Sequence, residues 1–553
     1  MSEPTIEGYL AVASHFQLGR LPTECSNPIT RNLSQLCSNP ETVPEALHTL
    51  QKADIFALQS LLNNEVALQQ TESLARDVHS TLEQGFKVVC EGCGATGRLS
   101  LSLEVFAKEG MVEEPEYQSR VLGFMAGGDA AFIRSIEAFE DRVEYGRKQL
   151  HEIGFTDGDL LLAITEGGET PFVIAACEEA VAVSPSRRPY FLYCNPDDVL
   201  CEVAERSKRV IENSAIHKIN LTVGPMAITG STRMQATTVQ ILIAGLAIRH
   251  HAHPERIRSD LAALLACVDD SVTNTHSISY SALAPFTRLE AELYAAKEYF
   301  VYETTDFSVT TMTDTTERAP TFSMPPFETY LHSNDLPSQV YLMLPDAAEP
   351  TAAAGWERLL RRPPRALEWE ATSQRTGMAA ILGYDISCGI QKKRAGRLGA
   401  EKTKLKAIVA LDKNAIVLSF PHANVSARVE LEPRIAQDKL LVNVVAKMLL
   451  NAHSTAVMGI LQRYEGNVMT WVRPSNNKLI DRAARYVKLL LSRRWESQGA
   501  DEASIQKALP SYEAICTRIY EMRETVPTDQ PIVLLVVAEY MPRISVAATA
   551  TCQ

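Results

Sequence analysis

Two hydroxyls and a guanidinium stand side by side in residues 230–234, Gly-Ser-Thr-Arg-Met, at the start of an apolar segment with helical spacing. A strand-like run over 219–223 precedes them. Free N–H groups and the helix dipole at such an N-terminus favour an anion. A helix start that is only capped would show the same residue types. The spacing therefore predicts either a plain cap or one wall of a phosphate site formed by Ser231, Thr232 and Arg233.

A glycine-rich turn upstream favours the phosphate site. Residues 92–97, Gly-Cys-Gly-Ala-Thr-Gly, follow an apolar strand-like run and precede a helix-like segment. Glycines let the backbone approach an oxyanion, and a threonine adds a hydroxyl. The turn also fits the dinucleotide pattern G-x-G-x-x-G, but the acid expected about 20 positions later falls in a polar loop, at Glu113 and Glu114. We therefore expect a monophosphate loop first and a nucleotide loop second. Its expected ligand contacts are Gly94, Ala95, Thr96 and Gly97.

A third turn also combines glycines and hydroxyl residues between a strand-like run and a helix. Residues 165–170, Thr-Glu-Gly-Gly-Glu-Thr, lie between the apolar run 159–164 and a helix that starts with Pro171. The carboxyl ends of parallel strands meet at one edge of a sheet, so the three turns should converge on one ligand. The two glutamates would repel a phosphate unless they turn away or meet amino and hydroxyl groups of a sugar. The expected contacts are Thr165, Glu166, Gly167, Gly168, Glu169 and Thr170.

These turns and several other motifs resemble the sugar isomerase (SIS) domain proteins, and among them the glucokinase regulatory protein family and the bacterial N-acetylmuramic acid 6-phosphate etherases. The resemblance implies an α/β fold of two SIS-type modules with parallel, flavodoxin-like sheets flanked by helices, followed by an all-helical C-terminal lid. It implies a sugar phosphate as the ligand, and we expect no cofactor. The motifs are residues 23–24, 27–28, 92–99, 126–128, 135–137, 140–141, 170–172, 194–196, 230–234, 451, 454–455, 466–469 and 475–479.

Chain length separates the two branches of this family. The etherases are much shorter and work as dimers, whereas the regulatory proteins resemble this chain in joining two modules and a helical cap. At 553 residues the chain has room for roughly three or four domains. The resemblance then implies a regulatory protein that binds fructose 6-phosphate or an amino-sugar phosphate and controls a glucokinase or other hexokinase. We expect a monomer whose two modules form an internal pseudo-dimer.

Etherase chemistry, as the resemblance implies it, needs one carboxyl as base at the sugar C2 proton and another as acid at the departing lactyl ether oxygen. Glu140 matches the family base. An ungapped count from Gly92 puts Phe106 at the acid position, and Glu104 would lie on the opposite face of the helix. We therefore favour binding without turnover, with Glu140 on the sugar hydroxyls. An etherase-like lyase that releases D-lactate stays open as the alternative.

A cation from the second half of the chain is also implied. Arg463 falls where the regulatory proteins carry a ligand-contacting lysine, and a guanidinium there could bind a phosphate bidentately. A solvated arginine at a helix end would look the same.

Composition excludes several classes of protein. The 54 basic and 67 acidic residues give a net charge of -13, which disfavours binding to nucleic acid. The apolar run 532–538 is too short to span a bilayer, and the chain start lacks a signal-peptide pattern. We expect the cytosol, with the nucleus as an alternative location. Cys90 and Cys93 form a C-x-x-C without a second pair, so we expect no metal site.

The same anchors suggest the domain limits. We expect an N-terminal segment over 1–60, a first SIS domain with the ligand site over 61–302, a linker over 303–330, a second SIS domain over 331–490 and a helical lid over 491–553. Strand-like runs at 340–344, 379–382, 407–410 and 416–420 indicate the second sheet. Its turns lack hydroxyl clusters, so we expect this module to bind no ligand and to serve as a scaffold or a partner surface. The basic run over 391–406 is expected to be a solvated face, with a docking or localisation signal as the alternative.

Overall fold

The computed structural model describes residues 6–13, 18–136, 139–270, 277–332, 335–345, 350–474, 476–527 and 530–544. Positions 1–4, 137 and 475, which entered the sequence analysis, lie outside this range. Two five-stranded sheets, each covered by helices, form the centre of the described molecule.

The first sheet is parallel throughout and has the strand order β2-β1-β3-β4-β5, the flavodoxin-like order that the sequence predicted. Both β1 and β3 are buried at every position because helices cover both faces of the sheet, and β3 is apolar throughout. Its strands are β1 (Val88–Gly92), β2 (Val121–Met125), β3 (Leu160–Ile164), β4 (Tyr190–Tyr193) and β5 (His217–Asn220).

Two long helices, α3 and α4, cover much of the N-terminal segment and the start of the first domain. Asn64 caps α4 by accepting the Ala67 N–H at 3.1 Å. The helices of this half are α1 (Ile6–Val12), α2 (Leu33–Cys37), α3 (Val43–Leu62), α4 (Glu65–Glu83), α5 (Ala95–Phe106), α6 (Pro115–Gln118), α7 (Val143–Glu152), α8 (Pro171–Val183), α9 (Asp197–Val203), α10 (Glu205–Glu212), α11 (Gln235–Arg249), α12 (Ile257–Val268) and α13 (Ala284–Ala295).

The second sheet is mixed, which corrects the expectation of a parallel one. Only β6 pairs in parallel, with β7 and β8, while β8, β9 and β10 form an antiparallel meander, because short turns join them instead of crossover helices. The run 379–382 is also helical and not a strand, in keeping with its alanines. The remaining strands are β6 (Phe300–Thr304), β7 (Val340–Met343), β8 (Leu405–Asp412), β9 (Ala415–Phe420), β10 (Val425–Glu430), β11 (Tyr464–Glu465) and β12 (Val468–Met469).

The segment expected to be a linker, 303–330, contains a buried helix, α14 (Ser308–Phe322). Its many threonines do not signal a loop, because their hydroxyls are satisfied within the helix: Thr315 donates to the Thr311 carbonyl at 2.8 Å and Thr316 to the Met312 carbonyl at 2.7 Å. The second sheet therefore begins at Phe300, ahead of the predicted linker.

The later helices include one that is apolar and long enough to cross a membrane, α20, but it is fully buried within the described molecule, as in a core helix. Within the region expected to be a helical lid, Ser511 caps α23 by accepting the Ala514 N–H at 3.1 Å. These helices are α15 (Ala352–Leu360), α16 (Ser373–Thr376), α17 (Met378–Leu382), α18 (Ile390–Leu398), α19 (Pro433–Gln437), α20 (Lys439–Ile460), α21 (Asn477–Ser497), α22 (Glu502–Ala508), α23 (Tyr512–Arg523) and α24 (Ile532–Tyr540).

The basic run over 391–406 is partly internal. The Arg394 guanidinium is buried and donates to the Glu328 carboxylate at 2.6 Å. Lys393 pairs with Asp385, and Lys406 with Glu303. The expectation of a wholly solvated face is therefore wrong for Arg394.

Candidate functional site

Local hydrogen bonds fix the shape of the loop between β1 and α5. The Thr96 hydroxyl accepts the Cys93 N–H at 3.1 Å and donates to the Cys93 carbonyl at 3.0 Å, which closes the turn. Gly94 has a φ of 57°, a conformation that favours glycine. A Cβ on Gly92 would lie 2.4 Å from the Thr96 carbonyl carbon, so the turn packs tightly on its own strand. Cys93, Gly94 and Ala95 remain half-buried, and this is where a ligand could meet the loop.

The loop between β3 and α8 joins the next strand through Asn195. The hydroxyls of Thr165 and Thr170 lie 3.0 Å apart and are buried. The Asn195 amide donates to the Gly167 carbonyl at 3.0 Å and to the Thr23 hydroxyl at 3.0 Å. Residues 23–24, from the N-terminal segment, are therefore part of the same edge of the sheet.

The loop before α11 completes this edge. The Gly230 N–H donates to the Thr23 carbonyl at 3.1 Å, which links residues 230–232 to the same N-terminal segment. Ser231 is 4% exposed, and no described group lies within hydrogen-bond distance of its hydroxyl. Thr229 in the same loop also has a buried hydroxyl with no partner among the described residues. Unpaired buried hydroxyls are costly unless a ligand or water meets them.

The structure does not bring Arg233 into this group of loops. Its buried guanidinium donates to Asp314 of α14 at 3.0 Å and to the Thr455 hydroxyl of α20 at 2.9 Å. Arg463 stacks on the ring of Trp471, 3.8 Å from its centroid. Arg233 thus joins the two halves, and a ligand contact by Arg463 stays a prediction.

Lys478 of α21 brings a cation from the second half of the chain to two carboxylates of the first half. Its ammonium lies 2.6 Å from the Glu169 carboxylate and 3.4 Å from that of Glu140. Glu169 also accepts from Arg206 at 2.5 Å. Burial opposes ionisation, but Lys478 and Arg206 outweigh it and lower the pKa of Glu169 to about 2. Lys478 stood within the motif 475–479, so the sequence held the signal that would have found it.

Glu166 differs from both other glutamates. It is 9% exposed, and no described residue forms an ion pair with its carboxyl or donates a side-chain hydrogen bond to it. Burial raises the pKa of Glu166 to about 7; Lys478 opposes this rise, while Glu317 and Glu140 add to it. Near neutral pH this carboxyl is therefore partly protonated.

Glu24, like Lys478, takes part in an ion pair between the loops and α21 that the sequence analysis did not predict. Its buried carboxylate accepts from Arg482 at 2.5 Å and from Arg485 at 3.0 Å, both on α21. The motif 23–24 was noted only for the resemblance. In the structure it anchors α21 against the loops, since Tyr486 of the same helix also donates to the Thr229 carbonyl at 2.6 Å.

The position matched to the family acid holds no ionisable group. Phe106 is 1% exposed and belongs to the main apolar core. Glu104 pairs with Lys108 at 2.8 Å, Arg362 at 3.0 Å and Arg365 at 2.8 Å. Its carboxylate is thus committed to a structural cluster that includes the second half of the chain.

Within the described residues no group of three or more His, Cys, Asp or Glu side chains could hold a metal ion. Cys90 and Cys93 are free thiols, and burial raises the pKa of both. The acidic groups Glu140 and Glu166 raise the pKa of Cys93 further, which places this thiol beside the carboxylates of the site.

Comparison with known proteins places the fold and site in a family. A model of the glucokinase regulatory protein N-terminal SIS domain matches residues 70–181. The N-acetylmuramic acid 6-phosphate etherase of Bacillus pumilus (strain SAFR-032) is 30% identical over 42% of this chain and 68% of its own length. The corresponding protein of Lactococcus lactis subsp. cremoris (strain MG1363) is 32% identical over 41% of this chain and 69% of its own length.

Among solved structures, tagatose-6-phosphate ketose/aldose isomerase from Escherichia coli is 11% identical with a TM-score of 0.40, over 76% of this chain and 94% of that one. The sequence matches to the etherases define the class: this chain belongs to the sugar-phosphate-binding SIS family, in the group that includes the N-acetylmuramic acid 6-phosphate etherases.

Proposed function

We propose that this chain is a regulatory protein that binds a hexose or amino-sugar 6-phosphate at the edge of the first sheet. The observation that carries the proposal is the unpaired, buried hydroxyl of Ser231, in one of three loops that lead into the N-termini of α5, α8 and α11. Free amides and hydroxyls of this kind are well suited to phosphate. The Thr232 hydroxyl and the backbone N–H groups of residues 94–97, including that of Thr96, would complete its coordination.

The sugar would lie toward the carboxylates. Glu140 is half-buried and held by Lys478 of α21, so the sugar would touch both halves of the chain. A ligand that prefers one arrangement of α21 can change the affinity for a partner, provided that the partner prefers the same arrangement. The partner we propose is a hexokinase, in line with the resemblance.

Thermal denaturation tests the binding claim. Ligand at about 100 times its Kd should stabilise the protein by about 2.7 kcal/mol. We expect fructose 6-phosphate or glucosamine 6-phosphate to raise the melting temperature, and the unphosphorylated sugars to leave it unchanged. If no hexose 6-phosphate raises it, the proposal fails.

A second candidate function is an etherase-like lyase, and the names of the matched relatives favour it. The structure offers Glu140 and a partly protonated Glu166 as a base and an acid, although Phe106 occupies the usual acid position. We expect no D-lactate from N-acetylmuramic acid 6-phosphate. D-lactate release that disappears in Glu140→Gln would establish the lyase and exclude our preferred function.

A further inference from the structure

We propose that the phosphosugar recognised here carries a free ammonium group, and that the Glu166 carboxylate binds it. The inference rests on the proposed phosphosugar site and names the chemistry of its ligand.

The charged side chains around the site do not provide an ion-pair partner for Glu166. Four carboxylates, from Glu140, Asp141, Glu166 and Glu169, lie around two cations, from Lys478 and Arg206. Both cations hold Glu169, and Lys478 also reaches Glu140. The cluster is therefore short of positive charge, and Glu166 is its buried member that forms no ion pair.

A structural role for Glu166 finds no support in its contacts. The backbone of the loop is held by other residues: Asn195 binds the Gly167 carbonyl, and Ser207 donates to the Gly168 carbonyl at 2.7 Å. The Glu166 carboxyl accepts a backbone N–H and forms no ion pair, and burying a carboxyl with so few partners is costly. An ammonium supplies three donors and the missing positive charge.

The unpaired Ser231 hydroxyl is an independent sign of a ligand at the same edge. It is a donor suited to phosphate, whereas Glu166 is an acceptor suited to a cation. The loops that carry the two residues are joined through Thr23 and Asn195. A ligand with a phosphate at one end and an ammonium on the ring would satisfy both groups together.

Calorimetric titration of the full chain with three probes tests this inference. D-Glucosamine 6-phosphate carries an ammonium, D-glucose 6-phosphate a hydroxyl and N-acetyl-D-glucosamine 6-phosphate a neutral amide at the same carbon. We expect the first to bind at least about tenfold more tightly than the others, which corresponds to about 1.4 kcal/mol. In Glu166→Gln, which keeps the shape of the side chain, the preference for the ammonium sugar over the hydroxyl sugar should fall below about threefold.

Glu178→Gln is the matched control, because it removes one carboxylate from α8 whose partner, Arg209, lies on the surface. It should leave all three affinities unchanged. Equal affinity for the ammonium and hydroxyl sugars, or a preference that survives in Glu166→Gln, would overturn the inference while the phosphosugar site stands. Failure of all three probes to bind would overturn both. A thermal denaturation curve of Glu166→Gln shows that it is folded, and Glu166→Ala serves as a second variant with the same expected loss of preference.

Discussion

At the scale of the residue, partners decide what a buried glutamate does in this protein. Glu24 and Glu169 each meet two cations, and the pKa of each is about 2 despite burial. No cation forms an ion pair with Glu166, and burial raises its pKa to about 7. The sequence alone does not distinguish these three glutamates. The three-dimensional contacts separate the two that form ion pairs from the one that does not.

Glu24 should make the stability of the protein depend on pH. Because its pKa lies below the ordinary value of 4.5 in the folded state, its stabilisation is complete above that pH and is lost as the pH falls toward about 2. Glu24→Gln should lower the free energy of unfolding at pH 7 by about 3 kcal/mol, since Arg482 and Arg485 lose their buried carboxylate. Urea denaturation measured between pH 7 and pH 2.5 checks this expectation.

The control for Glu24 is Glu202→Gln, which breaks an exposed ion pair with Arg20. It should change the free energy of unfolding by no more than about 0.5 kcal/mol. A Glu24→Gln variant whose unfolding depends on acid as steeply as the parent's would show that Glu24 does not carry this stabilisation.

At the scale of the element, the connection between α15 and α17 fixes the loop that carries Glu140. Residues 361–377, here the crossing segment, leave the second half and pack on the first. Arg362 pairs with Asp129 at 2.6 Å, and Trp369 packs on Phe139 with ring centroids 5.7 Å apart. The Trp369 indole N–H also donates to Glu152 of α7 at 2.5 Å. The crossing segment therefore holds residues 139–152 in place.

Trp369→Ala should destabilise the protein by about 3–5 kcal/mol, as large-to-small changes of buried aromatic residues do. The variant should also become more susceptible to proteolysis near residues 139–145. Trp369→Phe keeps the ring stacking and loses the hydrogen bond to Glu152, so it should cost only about 1 kcal/mol. Equal losses in the two variants, measured by urea denaturation, would show that ring packing is not what the indole provides.

The sequence predicted the elements with local signals and missed those that depend on the other half of the chain. The glycine turns after β1 and β3 are local patterns, and the structure confirms them as loops. The polar helix α14 was taken for a linker because its threonine hydroxyls bond within the helix, which composition does not show. The antiparallel half of the second sheet was missed because strand-like runs do not specify pairing direction.

At the scale of the whole molecule, buried ion pairs join the two halves. Arg98 of α5 donates to Glu317 of α14 at 2.5 Å, and Arg233 pairs with Asp314 of the same helix. The partners stand more than 80 positions apart in each pair, so no local pattern could predict them. The same is true of Lys478, which lies 309 positions from Glu169. The candidate site is thus predictable in its loops, and its charge balance follows only from the fold.

Both halves of the chain contribute side chains to the candidate site. The loops belong to the first half, while Lys478, Arg482 and Tyr486 reach them from α21. A ligand bound at the loops that shifts α21 would therefore also shift the C-terminal helices, which pack on α21. This connection is the physical basis for the proposed regulatory role.

The most direct test is a calorimetric titration of D-glucosamine 6-phosphate into the parent protein and into Ser231→Ala, with phosphate-free D-glucosamine as the ligand control. Ser231 has no hydrogen-bond partner among the described residues, so its hydroxyl can be removed without loss of a protein contact. Ser73→Ala removes an exposed hydroxyl of α4 and serves as the protein control. We predict saturable binding that depends on the phosphate, an affinity lowered about tenfold or more in Ser231→Ala at an unchanged melting temperature, and a change of less than about twofold in Ser73→Ala. Equal affinity of Ser231→Ala and the parent, or no binding to the parent, would contradict the account.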